Sequence, residues 1–127
     1  MELRKFAAKA AFFVLLSSAM GLSAADTATV TVKGYVLDSA CAFTKDLSKP
    51  ISTQCAIACA KAGSALVILS EDGTIYWPIA DTTPSSGQNS KLLPFAGEKV
   101  VASGKVYQRG GSKAMVIEKI EAQATGK

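Results

Sequence analysis

The residues able to do chemistry in this chain are its three cysteines, Cys41, Cys55 and Cys59. All three fall within the stretch from Gly34 to Gly63, and the 127-residue chain contains no histidine. Any site must therefore be built from sulfur, carboxylate, amine or backbone groups. The spacing allows three kinds of chemistry. The first is a structural disulfide. Cys55 and Cys59 lie four residues apart, so on one helix they share a face with Cβ atoms about 6 Å apart, beyond the ~3.5–4.5 Å that a disulfide spans. Cys41 paired with Cys55 or Cys59 is then the expected bridge, closing a loop of about fifteen residues and stabilising the fold by about 3 kcal/mol in the chain-entropy description. The second is a soft-metal site, in which three thiolates surround Cu(I). Zinc would need a fourth ligand, and Asp38 is the candidate. The third is thiol redox chemistry, which the C-x-x-x-C spacing and the lack of a neighbouring base disfavour.

The compartment decides among these. Arg4, Lys5 and Lys9 precede an apolar run, Ala10-Ala11-Phe12-Phe13-Val14-Leu15-Leu16, and Ser23 and Ala25 are small residues at signal-peptidase spacing. Residues 1–25 read as a secretory signal peptide, cleaved after Ala24 or Ala25. The uncharged run between Lys9 and Asp26 would span about 24 Å as a helix at ~1.5 Å per residue, short of a ~30 Å hydrocarbon core. No stable membrane anchor is expected after cleavage. A lipidated cysteine is not expected either, because a polar, strand-like segment separates Cys41 from the apolar run. The expected location is periplasmic or secreted, where disulfides are the default fate of cysteines.

Residues 26–127 are enough for a single domain and too few for two. They carry eleven Lys/Arg and nine Asp/Glu, so half of the net charge of +4 comes from the leader. A mildly basic domain without a basic cluster does not point to nucleic acid.

Alternating polar and apolar residues predict a strand from Thr29 to Leu37, with Val30, Val32 and Val36 on one face and Gly34 marking a bulge or bend. Asp38 and Ser39 close it. A loop is expected from Ala40 to Ile51. A short helix follows from Thr53 to Ala62, capped by Ser52 and stopped by Gly63. Its expected inner face holds Cys55, Ala58, Cys59 and Ala62. Further strands are predicted over Ala65–Ser70, Thr74–Ile79, Lys99–Gln108 and Ala114–Ala122. The turn Glu71-Asp72-Gly73 joins the first two of these, and Arg109-Gly110-Gly111-Ser112 joins the last two. In the final strand, Met115 and Ile117 are read on one face, with Val116 and Ile120 on the other. Asp81 to Ser90 is a long polar loop, and Leu92, Leu93 and Phe95 form an apolar plug with a helical turn before Gly97.

Five strands, a glycine inside the first, a short helix after it and a helical turn before the fourth predict a mainly β fold, a small five-stranded OB-like barrel. The chain also resembles a family of small exported bacterial proteins of unknown function with an OB-like barrel. The resemblance rests on Gly34-Tyr35-Val36-Leu37-Asp38-Ser39-Ala40-Cys41 and on Cys55-Ala56-Ile57-Ala58-Cys59-Ala60-Lys61-Ala62-Gly63. It continues through Leu66 to Gly73 and Ala96 to Val106. Similar sequences often carry a histidine before the second cysteine, where this chain has Gln54. The resemblance implies fold and export, and no activity.

OB-folds stack single-stranded nucleic acid on exposed aromatics, and Tyr35, Tyr76, Trp77 and Tyr107 are the candidates. Strand composition assigns them instead to filling the barrel and its edges, and export argues against a nucleic-acid partner. There is no phosphate loop, paired-carboxylate signature or Ser-His pair. The sequence thus predicts a non-enzymatic exported barrel with a disulfide staple and no cofactor, whose partner is a protein or small ligand. The alternative is a thiolate metal-binding protein of copper type using Cys41, Cys55 and Cys59.

Overall fold

The computed structural model describes residues 28–46 and 52–124. The expected signal peptide lies outside them. Among the described residues no helix is long and apolar enough to cross a membrane.

The elements run β1 (Thr29–Asp38), α1 (Ser39–Thr44), α2 (Thr53–Lys61), β2 (Leu66–Ser70), β3 (Ile75–Pro78), α3 (Asn89–Leu92), a 3₁₀ turn (Leu93–Phe95), β4 (Lys99–Arg109) and β5 (Ser112–Ala122). The strands close a barrel in the order β1-β2-β3-β5-β4. All neighbours are antiparallel except β3 and β5, which run parallel. This is the expected five-stranded OB-like barrel, and each strand lies within two residues of its predicted ends.

Closure depends on β1, which pairs with β4 over Thr29–Tyr35 and with β2 over Gly34–Asp38. Gly34 sits at the hand-over and pairs with both Ser70 and Val100. A Cβ there would meet the Leu69 carbonyl oxygen at 2.2 Å, so only glycine lets the two strands approach this closely.

The interior is filled by Val32, Val36, Leu66, Ile68, Val100, Ala102, Met115 and Ile117, with Tyr76 among them. Leu92 of α3 is fully buried in this core and Phe95 packs against it, so the expected apolar plug closes one end. In β5 the pairing skips Glu118: Gly104 faces Ile117, while Ser103 faces Lys119. This bulge resets the alternation, and Ile120 packs against the same core as Met115 and Ile117 rather than on the opposite face.

Two expectations for the helical region are corrected. Ser39–Thr44, expected within a loop, is a helix because the Asp38 side chain accepts the Cys41 N–H at 3.0 Å and caps it. Its Ala42 joins Leu37, Val67 and Leu69 in a second, smaller core outside the barrel wall. In α2 the core-facing residues are Ala56, Ile57 and Ala60, whereas Cys55 and Ala58 are exposed. Burying Ile57 together with Ala56 removes more apolar surface from water than a cysteine–alanine face would. Ser52 caps α2 by accepting the Cys55 N–H at 3.2 Å, and the helix ends at Gly63, whose φ is 99°. The start of α2 lies against the loop before β4. A Cβ at Gly97 would stand 2.6 Å from the Thr53 Cα.

Candidate functional site

The end of β1 carries a buried carboxylate with the cysteines arranged around it. Asp38 is 4% exposed. One of its oxygens accepts the Cys41 N–H, and the other accepts the Ser64 hydroxyl. Ser64 follows the Gly63 stop of α2, and its N–H donates to the Cys59 carbonyl at 3.1 Å. Asp38 therefore ties the start of α1 to the segment leaving α2. The Ser64 hydrogen bond is the main cause holding the Asp38 carboxyl below its usual value of 3.8, with burial opposing it and the Cys41 N–H adding to it.

The Cys41 thiol feels the Asp38 carboxylate, and Cys55 and Cys59 are both electrostatic neighbours of it. Cys59 feels Cys55, one turn away, and also Asp38. Thus β1, α1 and α2 place the three cysteines in one electrostatic neighbourhood. Cys41 and Cys59 are half-buried, Cys55 is exposed, and the three are free thiols. Desolvation, then the Asp38 carboxylate, pushes the Cys41 thiol up from 9.0. Desolvation, then Cys55, raises Cys59 in the same way.

These shifts decide what the cluster can do. A thiol held in its protonated form beside a carboxylate is a poor nucleophile at neutral pH. Among the described residues no three cysteine, aspartate or glutamate side chains form a group able to hold a metal ion.

The four aromatic candidates divide. Tyr76 is buried in the core, and Tyr35 is half-buried beneath Lys99, whose Nζ lies 5.3 Å from the ring centroid. Trp77 and Tyr107 remain 36% and 39% exposed on the outer wall. Phe43 of α1, 66% exposed, has its ring 6.4 Å from that of Trp77.

Sequence reasoning missed Ser64 and Phe43. Ser64 had no local signal, because its partner lies 26 residues away. Phe43 fell in a segment read as a loop, although Asp38 three residues before Cys41 was a readable cap. Comparison with family models, with curated proteins and with solved structures finds no match for this chain.

Proposed function

We propose that the chain is an exported, non-catalytic binding barrel whose helical cap is stapled by a disulfide from Cys41 to Cys55 or Cys59. One observation carries the reading: Cys41, at the start of the helix that Asp38 caps, has both α2 cysteines as electrostatic neighbours. Such a neighbourhood leaves Cys41 a short path to a second sulfur once one of the thiols ionises and enters exchange. The tripartite leader and the resemblance to small exported OB-like proteins support the compartment in which pairing occurs.

Forming the bridge removes two protons and two electrons from two thiols. A disulfide-bearing exchange partner of the export compartment takes them up and is itself reduced to a dithiol. The product joins α1 to α2 across the segment between them. The barrel then presents a fixed rim, and the third cysteine remains a free thiol.

The test is a set of single Cys→Ser variants of protein recovered from the periplasm. Cys41→Ser and loss of its true partner should each lower stability by about 3 kcal/mol. Replacing the remaining cysteine should have little effect. Equal, small effects at all three positions, with copper bound stoichiometrically, would favour the metal-binding reading instead.

A further inference from the structure

The exposed aromatics are not scattered. Trp77 of β3 pairs with Ala114 of β5, and Ala114 pairs with Tyr107 of β4. Paired residues on adjacent strands project to the same face. Ala114 neighbours the fully buried Met115, so this row faces outward from the barrel. Trp77 and Tyr107 flank Ala114, and all three line one open hollow, a slot with alanine at its floor. Neighbouring strands lie ~4.8 Å apart, which sets the two wall strands roughly 9.6 Å apart. A ring held between two aromatic faces needs about 7–8 Å, two contacts of ~3.5–4.0 Å each.

The rest of the lining sets the polarity. One row further along, Arg109 pairs with Ser112, placing a guanidinium and a hydroxyl at the end of the slot. Lys113 also lines this hollow of about 590 Å³, whose lining contains two cations and no carboxylate. Arg109 has no ion-pair partner among the described residues. Asp81, beside the slot, is already engaged: it accepts the Tyr107 hydroxyl at 3.2 Å and pairs with Lys105 at 3.4 Å. That contact also fixes the Tyr107 wall.

We propose that this slot binds a sugar ring of a carboxylated oligosaccharide, stacked between Trp77 and Tyr107 with its carboxylate on Arg109. A pyranose ring has apolar C–H faces and hydroxylated edges, matching aromatic walls with a few polar groups at the end. The carboxylate matches the planar fork of arginine. A peptide added as a strand does not fit, because β5 is paired on both sides along Lys113–Met115. The proposal rests on the reading of the chain as a binding barrel and is independent of the staple.

Trp77 is the sole tryptophan, so its emission reports the slot directly. The mature protein is titrated with a tetramer of galacturonic acid, the methyl ester of that tetramer, a thymidine oligonucleotide and an aspartate-rich peptide. The expected result is a saturable Trp77 response to the acid, weakened about tenfold or more by esterification, by Arg109→Gln and by Tyr107→Ala, since a charge-assisted hydrogen bond is worth about that factor. Unchanged far-ultraviolet circular dichroism will show that both variants fold. Equal affinity for acid and ester overturns the proposal. A response to the oligonucleotide or peptide alone overturns it too but leaves a binding barrel. Silence with every probe overturns it, and the thiol state then tests the stapled barrel separately.

Discussion

Replacing Asp38 by Ala should be among the most damaging single changes in the cap. The carboxylate is buried and accepts two hydrogen bonds from different elements, the Cys41 N–H and the Ser64 hydroxyl. Losing the cap of α1 costs about 1 kcal/mol. Losing a hydroxyl bond to a charged acceptor costs about 1.5–3 kcal/mol. Relief from burying a charge offsets part of this, leaving a loss of about 3 kcal/mol. With a urea slope of about 2 kcal/mol per molar for a domain of this size, the midpoint should fall by about 1.5 M. Asp38→Asn keeps the acceptor on Cys41 and should lose less than half as much. The pH dependence gives a second readout. The folded carboxyl is held below 3.8, so its contribution is complete above 3.8 and fades as pH falls through the lowered folded value. The acid limb of Asp38→Ala should therefore be flatter than that of the parent. A variant within about 0.5 kcal/mol of the parent, the scatter of ordinary surface changes, would refute the reasoning.

Gly34→Ala forces a Cβ onto the Leu69 carbonyl, so β1 must part from β2. A cost of at least about 2 kcal/mol, or a melting temperature lower by about 10 °C, is expected by calorimetry, and an unchanged melt would contradict the tight crossing. Fully reduced protein should lose stability in alkali. Cys41 and Cys59 are both raised above 9.0, so their contribution is complete below 9.0 and is lost as pH climbs through the raised folded values. Oxidised protein, with fewer thiols to ionise, should lose less in the same urea series, and identical profiles would argue against the bridge. Intact mass of exported protein should show loss of residues through Ala24 or Ala25, whereas full-length chain in the membrane fraction would contradict cleavage.

The barrel was legible because its signals are local. Period-two alternation marked the strands, Gly73 and the Gly110-Gly111 turn marked the hairpins, and Gly34 marked the bend at which β1 changes partners. The helical cap was harder to read. Alanine dominates α2, so periodicity could not separate the Cys55–Cys59 face from the Ala56–Ile57–Ala60 face, and packing against the barrel chose the latter. The segment after Asp38 carries turn formers further on, which hid a six-residue helix that depends on one cap. The β5 bulge was invisible because skipping Glu118 depends on the partner strand. The gathering of cysteines around Asp38 needed Ser64, a long-range partner without a local signature. The aromatic slot needed the parallel pairing of β3 with β5, since Trp77 and Tyr107 become neighbours only through Ala114.

The central claim is that the cysteine cluster is a staple, and the count of free thiols in mature protein, purified without reductant and denatured under non-reducing conditions, tests it most directly. The account predicts one reactive thiol per chain, with peptide mapping placing Cys41 in the bridge with Cys55 or Cys59. Three reactive thiols per chain, or a bridge that excludes Cys41, would contradict it.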